Sequence, residues 1–224
     1  MSDDSDYIRE NWIDWFCSIE DHFFFAKVDT DYIEDRFNLH GLEEEFKHYH
    51  EALNMILNEE IPDDSDLNDQ QFLQIYHVAI DLYGLIHKRY INSRHGLKKM
   101  RAKFLKGEFG SCRRVQCQNQ HVLPIGISEK LSVSRVKVFC PRCKEIYLPE
   151  QKCQDIDGAY FGTSFPNVLL NKFPDLVVKS EKKDYHPRIY GFKIYKEKGS
   201  KYYEEEGVYY QTYFDEKPKM IDNK

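Results

Sequence analysis

Apolar positions recur at helical spacing through the first half of the chain and at alternating spacing only later. Leu42, Phe46, Tyr49, Leu53, Ile56 and Leu57 lie three and four residues apart, with Glu43, Glu44 and Glu45 where a first helical turn favours acids, and this predicts an amphipathic helix over 42–57. A longer stripe through Phe72, Ile75, Tyr76, Ala79, Tyr83, Ile86 and Tyr90 predicts a second helix. A shorter one through Leu97, Met100 and Phe104 predicts a third, ended by Gly107. Upstream, residues 12–25 are dense in aromatics, and Asp29 and Thr30 are suited to cap a short helix. The aromatic and aliphatic stripes read as core packing and require no cofactor.

Beyond Gly107 the period changes. Residues 133–139 alternate Ser134, Val136 and Val138 against Arg135, Lys137 and Phe139, which predicts a strand, while Gly and Pro at 110, 124, 126, 141, 149, 158 and 162 mark turns. After Pro166 the chain is polar with a few aromatic strands, too little apolar material for a core of its own. Period-2 geometry over Arg188–Ile194 sets Tyr190, Phe192 and Ile194 on one face of an expected strand. The fold class expected is α+β: an all-α domain over 1–107, short antiparallel strands over 108–165, and an extended tail over 166–224.

Four cysteines turn the middle part into candidate chemistry. Cys112-x4-Cys117 and Cys140-Pro-Arg-Cys143 form two close pairs separated by a loop, the spacing of a zinc ribbon in which each pair occupies one tight turn. With four protein ligands no position is left open for water, so the metal, one per chain, is expected to be structural. The alternative is two disulfides. The acidic start Met1-Ser-Asp-Asp and the lack of a long apolar run point to a soluble intracellular chain, where metal is favoured over disulfide. Cys17 is expected to be a small buried hydrophobe, Cys153 a spare thiol and His121 a loop residue outside the ligand set.

Net charge is only −6, but it is divided unevenly. Residues 1–70 carry −17 and the rest +11, so the two parts are suited to different partners or to each other. The acids Glu59, Glu60, Asp63, Asp64, Asp66 and Asp69 fall in one run without a base, whereas residues 88–106 hold eight Lys and Arg without an acid.

Several segments together resemble the casein kinase II regulatory (beta) subunit. They are Trp12-Ile-Asp-Trp-Phe-Cys17, residues 28–39, Tyr83-Gly-Leu-Ile-His87, Leu123-Pro-Ile-Gly-Ile127, Cys140-Pro-Arg-Cys143, Asp157-Gly-Ala-Tyr-Phe-Gly-Thr163 and residues 187–194, in order along the chain. The resemblance implies a non-catalytic subunit, cytoplasmic and nuclear. Its zinc ribbons pair two copies, with Val115 at the contact, and the dimer carries two kinase catalytic alpha subunits in a heterotetramer. Docking falls to Tyr190, Phe192 and Ile194. The acidic run is implied to bind polyamines and basic protein substrates, and Ser2 and Ser5 stand where N-terminal phosphorylation occurs, though neither has an acid at the third following position. Arg113 and Gln116 depart from the family's Pro and aromatic and make the ribbon surface more polar. Consistent with a regulator, the sequence has no kinase catalytic loop, Asp-Phe-Gly or Gly-rich phosphate loop. The competing reading is a zinc-ribbon nucleic-acid-binding protein using the basic stretch, against which the −17 part argues. No paired acid–base constellation supports an enzyme, and no segment suggests a membrane.

Overall fold

The computed structural model describes residues 11–58, 66, 69–149, 153, 155–177 and 188–193. Helix α1, Trp12–Ser18, starts where the Asn11 side chain accepts from the Asp14 N–H, and buries Trp12, Ile13 and Phe16. Two short helices follow, α2 (Thr30–Glu34) and α3 (Arg36–Leu39). Asp35 caps α3, but Asp29 does not cap α2. The Asp29 carboxylate instead accepts from the Tyr90 hydroxyl at 2.7 Å and pairs with Lys99 at 2.5 Å, tying this segment to residues 61 and 70 positions away.

The helix expected over 42–57 begins later. Helix α4 spans Tyr49–Leu57, and residues 40–47 form successive turns. Gly41 at φ +80° and His48 at φ +67° both break a right-handed helix. The Leu42 and Glu45 amides donate to carbonyls three residues back, so the turns keep apolar residues on one side at a spacing that sequence alone cannot tell from a helix. Leu42 is accordingly buried and Glu43–Glu45 exposed.

The two main helices agree with expectation. Helix α5, Gln70–Ile91, is capped by Asp69, and α6, Arg94–Lys106, by Ser93, whose hydroxyl accepts from the Gly96 N–H at 3.1 Å. Gly107 ends α6 at φ +73° and donates back to the Lys103 and Phe104 carbonyls. Between α5 and α6 the chain turns so tightly that a Cβ on Gly96 would lie 2.0 Å from the Tyr90 carbonyl oxygen.

Strands β1 (Leu123–Ile125), β2 (Lys137–Phe139) and β3 (Ile146–Tyr147) form an antiparallel sheet in that order, with Leu123 opposite Phe139 and Val138 opposite Tyr147. The strand expected over 133–139 joins this sheet only from Lys137. Its first half changes partner: Arg135 bridges Asp157, and the Val136 amide donates to Ile156. Helix α7, Phe165–Lys172, packs on β1 with Phe165 and Leu169 fully buried, so the stretch assigned to a tail from 166 opens with a packed helix.

No break in packing falls at residue 107. A single apolar cluster runs from Trp12 to Leu176, and residues 1–182 form one compact unit. At one end Trp12 stacks on Phe16 at 4.8 Å, with Tyr83 edge-on to both. Farther along, Phe24 meets Phe109 at 5.5 Å and Phe161 at 6.3 Å, so residues on both sides of the change in period close the same core. The expected separation of helical domain from ribbon at 107 and 108 is not a separation of cores.

The second unit spans 183–224, and in it residues 188–193 are described. The single strand expected there is a tight hairpin: β4 (Arg188–Ile189) and β5 (Phe192–Lys193) pair around Tyr190 and Gly191, at φ +51° and +86°. Positive φ at two central residues is the turn whose twist suits a two-residue hairpin. Strand alternation therefore does not carry through Tyr190, and Ile194 lies outside the described residues.

Candidate metal centre

Each cysteine pair sits on a turn that its own backbone closes. The Cys117 amide donates to Arg114 at 2.8 Å, and Gln118 and Asn119, both left-handed, reverse the chain so that the Cys112 amide reaches the Gln120 carbonyl. In the second turn the Cys140 amide donates to Glu145 and the Lys144 amide returns to Cys140 at 2.9 Å, with Lys144 at φ +60°. A bond from Arg142 to the Gln118 side chain, 2.8 Å, ties the two turns together.

Folding the turns together brings the sulfurs of Cys112, Cys117, Cys140 and Cys143 within 4.8 Å of one another. A tetrahedral ion with bonds of about 2.3 Å sets its sulfurs about 3.8 Å apart, so the set fits zinc after a small contraction. None of the six cysteines is in a disulfide. Cys112, Cys117 and Cys140 are buried, and Cys143 is half-buried. Burial, reinforced by the neighbouring thiols, pushes Cys117 up to about 11 and raises Cys140. At Cys143 burial acts upward too, but the Tyr147 hydroxyl, the Glu145 backbone and the adjacent thiols outweigh it and bring the group to about 7. Four sulfurs converging on one point, two of them resisting ionisation when alone, are matched to a divalent cation, which stabilises the thiolates.

The other cysteines lie elsewhere. Cys153 is buried with its thiol directed at the Asp21 carbonyl at 3.7 Å, and the Cys17 sulfur is 3.5 Å from the Tyr83 hydroxyl. His121 engages the Phe104 carbonyl through Nδ1 at 2.9 Å and is not a ligand.

Around the sulfurs, exposed apolar residues alternate with exposed Arg113, Arg114, Lys144 and Glu145. Val115, at the tip of the first turn, is 92% exposed, and Ile146 and Leu148 are exposed on either side of Tyr147. On the hairpin, Tyr190 is 97% and Phe192 79% exposed. Phe37 is exposed as well, although Leu39, two residues on, is buried. Of the acidic run, Asp69 caps α5 and Asp66 lies in a 3-10 turn, while Glu59, Glu60, Asp63 and Asp64 lie outside the described residues, as do Ser2 and Ser5. Among the described residues no helix is long and apolar enough to cross a membrane.

Two residues of consequence escaped the reading of the sequence. Tyr147, whose hydroxyl is 3.3 Å from the Cys143 sulfur, carries one signal, its place four residues after the last clustered cysteine. Fully buried His87 carries none, because its partners are Ala26 and Tyr160.

A model of the casein kinase II regulatory subunit family matches residues 11–193. Among curated proteins, the chain is 46% identical over 195 residues to casein kinase II subunit beta of Schizosaccharomyces pombe, covering 87% of this chain and 81% of that one. It is 47% identical to the same subunit of Dictyostelium discoideum, covering 87% and 74%, and 41% identical to casein kinase II subunit beta' of Saccharomyces cerevisiae, covering 88% and 76%.

Proposed function

The chain belongs to the casein kinase II regulatory subunit family, and from that membership we propose that it is a non-catalytic subunit that pairs through a zinc ribbon and docks kinase catalytic subunits. Cys112, Cys117, Cys140 and Cys143 would hold one zinc ion, which supplies no reaction chemistry and fixes the two turns against each other. Fixing them sets Val115, Ile146 and Leu148 on a rigid support, the kind of exposed apolar surface that a second copy covers.

The observation that carries docking is the hairpin tip. Tyr190 on the two-residue turn and Phe192 on the strand that leaves it both stand largely in water, which is costly unless a partner buries them. A tight hairpin presents its side chains with less ordering entropy to lose than a free strand. Tyr190 and Phe192 are thus the anchors offered to a groove on the catalytic subunit. Buried aromatic anchors cost about 2 kcal/mol or more when truncated, so Tyr190→Ala with Phe192→Ala should weaken catalytic-subunit binding at least about tenfold in calorimetry. Dimer and metal content should not change. Unchanged affinity in a properly dimeric double variant would place docking elsewhere.

For the metal, the test is Cys140→Ser. Metal binding in small zinc modules is coupled to folding by about 10–16 kcal/mol, so this variant should lose stoichiometric zinc and dimerisation together. Intact zinc-loaded dimers would refute the ribbon's role. The nucleic-acid reading is weaker in the fold than in the sequence, since Lys99, Arg101 and Lys103 of α6 are paired with Asp29, Asp175 and Glu108.

A further inference from the structure

We propose that Tyr147 is a positioning residue for the metal: its hydroxyl donates to the Cys143 sulfur and keeps that ligand on the ion. The proposal rests on the reading of the four cysteines as a zinc site. It starts from the 3.3 Å approach of the Tyr147 hydroxyl to the Cys143 sulfur. Once the sulfur is a metal-bound thiolate it has no proton to give, so the phenol must be the donor.

The backbone holds this approach in place. Left-handed Lys144 turns the chain out of the second knuckle, and β3 then runs back along β2, where Tyr147 stands opposite Val138. The neighbours Ile146 and Leu148 are 46% and 67% exposed, while Tyr147 is half-buried, so this one side chain of the strand turns inward to the sulfurs.

Charge and access give the bond its purpose. Four thiolates around a divalent ion leave a net charge of −2, which hydrogen-bond donors at the sulfurs must spread. Cys112, Cys117 and Cys140 are at most 2% exposed, whereas Cys143 is half-buried as a residue, so of the four it lies nearest to solvent and to anything that would compete for the ion. An O–H donor at that sulfur draws off electron density and makes it less basic and less nucleophilic. Zinc loss that begins at Cys143 is thereby slowed.

Tyr147→Phe removes one oxygen and keeps the ring. Outer-shell changes of this kind cost about 10–100-fold in metal retention, so zinc should pass from the variant dimer to a chromophoric chelator at least about tenfold faster than from the parent. Peptide mapping after brief iodoacetamide treatment should find Cys143 modified earlier than in the parent. In the cobalt(II)-substituted protein, the sulfur-to-metal charge-transfer bands should move to longer wavelength, because the undonated thiolate is richer in electrons. Val138→Ala, which loosens the packing opposite Tyr147 without removing the hydroxyl, should leave those bands in place and so separates hydrogen bonding from packing. Equal zinc release and superimposable cobalt spectra for parent and Tyr147→Phe would overturn the role of Tyr147. A parent protein without one metal per chain would instead overturn the zinc reading beneath it.

Discussion

His87 shows how much one residue can settle without leaving a trace in local sequence. Its Nε2 lies 3.0 Å from the Ala26 amide and must accept, so the proton sits on Nδ1 and donates to the Tyr160 carbonyl at 2.9 Å. A second proton would set N–H against N–H in a fully buried site. Burial, the dominant cause, lowers His87 to about 4, against an ordinary value of 6.5. In that window the unfolded chain binds a proton that the folded chain refuses. Stability contributed by neutral His87 is therefore complete above about pH 6.5 and is lost as pH falls toward 4, by an amount on the order of 3 kcal/mol. His22, lowered chiefly by burial, acts in the same direction. His87→Gln can still offer an acceptor and a donor but does not titrate, so urea midpoints measured from pH 7 down to 4.5 should fall less steeply for it than for the parent. Parallel curves would show that the histidine contributes no linkage. The four clustered cysteines were legible because metal geometry demands close pairs, whereas the partners of His87 are 61 and 73 residues away and no spacing rule points to them.

Among elements, those that announce their own ends were read well. Helix α5 has Asp69 before it, α6 has Ser93 before it and Gly107 after it, and the apolar period between runs unbroken. Elements whose ends depend on unusual backbone angles were not: His48 at the start of α4 and Tyr190 at the hairpin turn are ordinary side chains in left-handed conformations. Gly84, in the interior of α5, belongs to the same lesson. A Cβ there would lie 2.0–2.5 Å from the Tyr160 ring, whose hydroxyl is bonded to Asp81 at 2.7 Å, so the helix can pass only if this position is bare. Gly84→Ala should cost about 3 kcal/mol, the upper end for overpacking, because the ring must shift off Asp81. Gly41→Ala meets nothing within 4 Å and only strains a φ of +80°, at about 1 kcal/mol. Equal urea midpoints for the two variants would deny that Tyr160 locks α5.

At the scale of the whole molecule, charge and core are organised differently. Charge is divided along the sequence, −17 before residue 71 and +11 after it. If the acidic run binds cations by its field, changing Asp63, Asp64 and Asp66 to Asn should weaken spermine binding in calorimetry at low salt, with the difference shrinking as salt screens it. Equal affinity at low salt would reduce the run to a solvated loop. The core, by contrast, is shared. Phe109, Tyr160 and Phe161 complete packing that Phe24, Gly84 and His87 begin, which the change in period at Gly107 concealed because it marks a change of element and not of core. Helices that share their core with the ribbon do not stand without it, so Cys140→Ser should loosen helical packing too. Shared packing also sets a schedule during synthesis. Tyr160 leaves the ribosome 73 residues after His87, a delay of roughly 4–15 s at about 5–20 residues per second. Through that interval the newborn α5 has its buried histidine and its bare glycine without their partner, so the apolar face of the helix stays uncovered by its own chain until the end of the ribbon emerges.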